Sequence, residues 1–335
     1  IIAVLLVAVL LFYRILFSTI DLNDKPIFVE IKTGENFSEV LIKLKKQGLV
    51  ENITPLKIYA RLTQKGTKIQ AGEYLLEGVT NVSLIIDKFI SGEVFLHPFT
   101  IIEGLTASEL EQDLRASVVF ADKDVDLNLH IKWDQLSADS FEFASKANIE
   151  GLFLPETYLF PRSTPIAVVL QDAHNSLLKA LNEEWNNRAD NLPLYSPYEG
   201  LILASIIEKE TAVADERARI AGVFIKRLKL NMRLQTDPTV IYGLGSKFDG
   251  NLTRSDLRHD TPYNTYTRNG LPPSPIALPG RDSIRAAFNP SDEEYIYFVA
   301  TGDEDGRHKF SKNIDEHNLA VKEYLDKIKF KSGDK

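Results

Sequence analysis

One carboxylic acid in this chain stands where acid–base chemistry would want it. In LILASIIEKETAVADERA, residues 201 to 218, Glu208 closes an apolar run that carries no charge. Burying a carboxylate beside such residues costs free energy unless something pairs or uses it. Glycoside cleavage uses one: an acid held protonated near neutral pH by desolvating neighbours, here Ile206 and Ile207, can pass its proton to a leaving oxygen. A salt-bridged core acid is the competing reading. Glu210 would point about 200° away around a helix, so it reads as a surface acid pairing with Arg217 rather than as a catalytic twin. Thr211 shares the face of Glu208 at helical spacing, where its hydroxyl could orient the carboxyl.

A hydrolase of the two-carboxylate type needs a second acid roughly 5 to 9.5 Å from the first. Asp237, in LQTDPTV, is the candidate, but an Asp-Pro pair also starts turns and caps helices. Both roles stay open on this reading. Metal chemistry is not indicated: the six histidines form no HExxH pair, and His308 and His317 have no third ligand at a suitable spacing. The absence of cysteine excludes disulfides, thiolate metal sites and a cysteine nucleophile. There is no G-x-S-x-G elbow and no glycine-rich phosphate loop, so no cofactor is implied. A net charge of -8 argues against nucleic acid as a partner, because phosphate binding needs clustered Lys and Arg.

The elements that must position these groups follow from periodicity. The first twenty residues, IIAVLLVAVLLFY followed by RILFSTI, carry only Arg14 as a charge, which predicts an uncleaved membrane anchor over residues 1–20. DLNDKP beyond it holds more acid than base and is expected to face away from the cytoplasm. FVEIKTGENFSEVLIKLKKQGLV predicts a strand, a turn at Gly34 and a helix using Phe37, Val40, Leu41 and Leu44. FTIIEGLTASELEQDL repeats that plan, with Ser108, Glu109 and Leu110 standing to Gly104 as Ser38, Glu39 and Val40 stand to Gly34. Between the two lie a strand around Tyr74 and a helix from Ser83 to Gly92. Residues 115 to 150 read as a connecting region with a helix around DSFEFASKA. Beyond it come a helix over 165 to 187, the helix of Glu208, a proline-rich loop expected to line a cleft, and a strand in YIYFVAT.

IIEKETAVADERARIAGVFIKRLKLNMRLQTDPTVIYGLG, TPYNTYTRNGLPPSPIALPG and GRHKFSKNIDEHN together resemble the YceG-like (MltG) family of membrane-anchored endolytic murein transglycosylases. The likeness runs from about Ile27 to Leu325, and AGEYLLEG and EGLFLPETY match the family's middle landmarks. It implies an α+β chain: an anchor over 1–20, a small LysM-like α+β module over 27–97, a second strand–helix unit with the connecting region over 98–150, and a mixed α/β catalytic domain over 151–329. It also implies Glu208 as the single catalytic acid, cutting the β-1,4 bond between N-acetylmuramic acid and N-acetylglucosamine without water. Gln235, Tyr263, Asn264 and Tyr266 resemble the Gln and Tyr-Asn elements of transglycosylase clefts, and with Thr211, Asp237, His308 and Phe310 they are the expected substrate contacts. Tyr242 reads as core. The implied partners are peptidoglycan glycan strands, the bacterial inner membrane with the catalytic part outside the cytoplasm, and peptidoglycan synthases. An anchored glycan-binding scaffold and a hydrolytic muramidase using Asp237 are the alternatives.

Overall fold

The structure is a computed structural model that describes residues 2–120 and 149–332. The expected helix around DSFEFASKA lies outside the described residues. The fold is mixed α+β, with helices and four two-stranded sheets among the described residues. The chain forms two compact units, one of residues 2–98, 119–120 and 159–164, the other of residues 99–118, 149–158 and 165–332.

The first unit begins with helix α1, Ile2–Phe17, whose sixteen residues span about 24 Å at 1.5 Å each. Among the described residues no helix is long and apolar enough to cross a membrane. A short strand β1, Ile20–Asp21, follows, and then β2, Ile27–Ile31. Helices α2, Phe37–Lys46, and α3, Thr54–Thr63, lead to β3, Gly72–Leu76, which pairs antiparallel with β2 so that Val29 faces Tyr74 across the ladder. Strand β4, Val79–Thr80, pairs with β1, and helix α4, Val82–Ser91, ends on Gly92 in the left-handed conformation. Val40, Leu41 and Leu44 of α2 meet Ile85, Ile86 and Phe89 of α4 in one core, as their helical spacing predicts.

Strand β5, Leu96–Thr100, pairs with β6, Thr157–Pro161. Helix α5, Ala107–Ala116, starts with a capping box in which Thr106 and Glu109 satisfy each other's backbone, the same device that Asn36 and Glu39 use at the start of α2. The sequence repeat is therefore a repeat of the helix-starting chemistry. In the second unit, α6, Ile166–Asn186, α7, Pro197–Glu210, α8, Arg217–Lys229, and α10, Arg281–Phe288, pack together, with α9, Asp237–Leu244, beside α7. A hairpin of β7, Tyr297–Ala300, and β8, His308–Ser311, precedes α11, Ile314–Ser332.

Helix α7 is the centre of this unit. From Leu201 to Ile207 every residue is buried, so the helix is enclosed all round rather than on one stripe. Gly200 lets α10 approach: a Cβ there would lie 2.0 Å from the ring of Phe288, which is itself fully buried. Alanine would favour the helix by about 1 kcal/mol, but overpacking a core that cannot yield costs about 1–3 kcal/mol or more. Gly200→Ala should therefore lower the melting temperature of the chain by several degrees, whereas a rise would show that Phe288 can move aside.

Candidate active site

Three segments meet at the end of α7, and backbone hydrogen bonds hold them. The turn after β5 supplies Gly104, whose N–H donates to the carbonyl of Leu278 (2.9 Å), while the N–H of Leu278 donates to the carbonyl of Leu105 (2.7 Å). This ties the proline-rich loop to residues 104–105. The Ser205 hydroxyl accepts from the N–H of Ile276 (3.0 Å) and donates to the carbonyl of Ile202 (2.7 Å), so the same loop is pinned to α7. Finally the N–H of Gly280 donates to Oε2 of Glu208 (2.9 Å). Glu208 is half-buried and lines an open cleft of about 880 Å³ shared with Glu103, Glu156, Lys209 and Arg217.

The isoleucines beside Glu208 do not enclose it. Ile206 and Ile207 are fully buried, but successive helix residues point about 100° apart, so they face the core while Glu208 faces the cleft. Glu210 departs from its expectation as a surface acid paired with Arg217. It is half-buried, its Oε2 accepts from the Thr236 hydroxyl (2.6 Å), burial raises its pKa, and it lines the same cleft as Glu208. The angular argument fails because α7 ends at Glu210, and both acids flank the open end of the helix. Thr211 lies past that end with an extended backbone, and its hydroxyl accepts from the N–H of Val213 (2.9 Å) instead of orienting Glu208. It still lines the cleft.

Glu103 was not anticipated. It lies against Gly280, where a Cβ would come within 1.9 Å of its Oε1. Desolvation raises its pKa, the nearby Glu208 carboxylate adds to that, and Arg217 opposes it. Glu156 is neutralised by Arg281, whose Nε donates to it at 2.5 Å. The Nε of Arg217 is buried without a hydrogen-bond partner among the described residues. A signal for Glu103 existed: in the two strand–turn–helix units the residue before the turn glycine is Thr33 in one and Glu103 in the other.

The remaining sequence candidates lie elsewhere. Asp237 opens the first turn of α9, where a negative charge suits the helix dipole, but it is exposed, makes no capping bond and accepts from the Tyr266 hydroxyl (2.6 Å). It does not line the cleft of Glu208. Asn264 is fully buried: its side-chain amide donates to the carbonyls of His259 (2.7 Å) and Leu257 (3.1 Å) and its oxygen accepts from the N–H of Tyr266 (2.8 Å), which makes it a loop organiser. Gln235 is exposed and takes a left-handed φ of 51°, with its N–H donating to the carbonyl of Thr265. His308 bonds Glu216 through Nδ1 (2.9 Å), and Phe310 packs on Tyr295 and under the guanidinium of Arg219. Both belong to the β7–β8 hairpin rather than to the cleft lining.

Tyr263 and Tyr242 line a second cavity of about 780 Å³, with ring centroids 4.8 Å apart. Tyr242, expected in the core, is thus a half-exposed wall residue. In that cavity Glu150 is 5 % exposed, its Oε1 accepting from the N–H of Ala107 (2.8 Å) and its Oε2 from the Tyr242 hydroxyl (3.1 Å). Among the described residues no group of His, Asp and Glu is placed to hold a metal.

A family model described as the YceG-like family matches residues 29–323. The chain belongs to the YceG-like family. A relative from Bacillus subtilis named endolytic murein transglycosylase is 32% identical over 311 residues, 89% of this chain and 84% of that protein. A relative of the same name from Streptococcus pneumoniae is 29% identical over 92% of this YceG-like chain, which spans 60% of the pneumococcal protein. The crystal structure of a YceG-like protein from Listeria monocytogenes covers 89% of the chain and 99% of its own, with a TM-score of 0.57 at 29% identity.

Burial lifts Glu150 to about 7 from an ordinary 4.5. Between those values the folded chain binds more protons than the unfolded one, so this group's contribution to stability falls as pH rises from about 4.5 to about 7, by up to about 3 kcal/mol. Urea titrations across that range should show the slope in the wild type and a flatter profile in Glu150→Gln.

Proposed function

We propose that this YceG-like chain is an endolytic murein transglycosylase in which Glu208 is the general acid and then the general base. The observation that carries the activity is the likeness to the Bacillus subtilis relative of that name over most of both chains. The observation that supports Glu208 is its place on an open cleft, with its carboxyl held by a backbone N–H and, among the described residues, by no arginine or lysine.

In this reading Glu208 donates its proton to the glycosidic oxygen as the bond to C1 of the muramic residue breaks, and the 2-acetamido group of the substrate stabilises the cationic sugar. The ionised Glu208 then takes the proton of the C6 hydroxyl while that oxygen bonds to C1, closing a 1,6-anhydro ring. The proton count closes on Glu208 and no water enters. Gly280 restrains one carboxyl oxygen throughout, leaving the other to serve the sugar. Glu208→Gln should lower the yield of anhydro-ended fragments roughly a thousandfold with the fold intact. Mass spectrometry of the digest checks the chemistry, since hydrolysis would add one water to each new end. A muramidase built on Asp237 would give such hydrated ends, and a binding scaffold would be indifferent to the substitution.

The second part of the proposal is attachment to the bacterial inner membrane, with the catalytic part outside the cytoplasm and within reach of peptidoglycan synthases. Its support is the apolar α1, where Leu6, Val9, Leu10 and Tyr13 stay exposed. The order β2–α2–α3–β3 with paired strands supports the LysM-like reading of residues 27–97. Replacing residues 1–20 by a cleavable export signal should move the chain from the membrane pellet to the soluble extracytoplasmic fraction, and recovery of that variant in the pellet would count against the anchor.

A further inference from the structure

The cleft of Glu208 and the cavity of Tyr242 and Tyr263 share two wall residues, Glu109 and Lys209. Lys209 lies between them because its Nζ donates to the carbonyl of Gly104 (3.1 Å), which lays the side chain along the turn that edges the cleft. The second cavity has the make-up of a saccharide site: two tyrosine rings and the apolar Pro238, Ile241 and Ile276 on its walls, together with Ser108, Ser246 and a Glu109 carboxyl that the Thr106 hydroxyl holds. Sugar recognition requires that mixture of flat apolar faces and a few fixed polar groups. Its acid, Glu150, is already committed to Ala107 and Tyr242, so it fixes the wall rather than offering a second catalytic carboxylate.

We infer that this cavity is a saccharide subsite contiguous with the cleavage cleft, taking an N-acetylated hexosamine of the same glycan strand on the far side of Lys209 from Glu208. The inference rests on the transglycosylase reading for its ligand class. It supplies what a cut within a strand requires, namely purchase on the strand away from the bond that breaks. The alternative occupant is the peptide carried on the muramic residue. The rings, the serine hydroxyls and a lining that, among the described residues, adds no cation to the shared Lys209 favour the sugar.

Ser246 is exposed at this cavity, so a large side chain there fills space without disturbing the core. The test places Ser246→Trp in the Glu208→Gln background and titrates it calorimetrically with glycan strands, either intact or stripped of their peptides by an amidase. The expected result is an affinity about tenfold weaker for both strand types, with an unchanged melting temperature. Tyr195→Trp, a tryptophan on a fully exposed side of the same unit, is expected to leave affinity within twofold. An affinity unchanged by Ser246→Trp overturns the subsite, and a loss confined to peptide-bearing strands overturns the sugar as occupant. Digestion by the wild-type chain is scored separately: failure to form anhydro ends would overturn the transglycosylase reading, while the titration still decides the cavity.

Discussion

The hydrogen bond from the Gly280 N–H to Glu208 joins the two halves of the site, and the cleft depends on it. Helix α7 delivers the acid, but its own geometry says nothing about what the carboxyl meets. The proline-rich loop brings the donor, and it can do so because two backbone hydrogen bonds to residues 104–105 and one to Ser205 fix its path. A backbone donor restrains a carboxyl without bringing a cation to it. Gly280 is also the residue that leaves room for Glu103, since any Cβ there would overlap that carboxyl.

This arrangement explains why α7 is buried on all sides. An acid at the mouth of a cleft gains nothing from a mobile support, and a helix whose whole length from Leu201 to Ile207 is enclosed has one position and one rotation. The close contact of Gly200 with Phe288 sets the distance to α10, whose own N-terminus carries Gly280 as its cap. The acid, the loop and the helix that follows it are thus referred to one rigid axis. Glu208 stands in the last turn of that axis.

Acids around the cleft are divided by environment rather than by type. Glu156 is held by Arg281, Glu210 by Thr236, and Glu150, in the neighbouring cavity, by Ala107 and Tyr242. Glu103 faces Glu208 with Arg217 nearby, and like-charge repulsion between the two carboxyls is part of what raises it. Glu208 and Glu103 thus face each other in the cleft while its other carboxyls are bonded to protein side chains.

Much of the helical structure was legible in the sequence, since apolar spacing and glycine stops are local: the helix of Val40, Leu41 and Leu44, the stop at Gly92 and the helix over 166–186 all follow from neighbours within a turn. Glu208 stood out as a candidate, because an ionisable residue closing an apolar run is visible in one dimension. The roles of Asn264, Tyr266 and Asp237 were not. Their partners lie in loops, and a polar loop residue has the same composition whether it binds substrate or organises backbone. Glu103 and Gly280 escaped for the converse reason, being separated from Glu208 by 105 and 72 residues. The sequence by itself determined which segments are helical and which acid stands out; the tertiary structure alone decided which carboxyls share a cleft, because that depends on long-range contacts that no local pattern encodes.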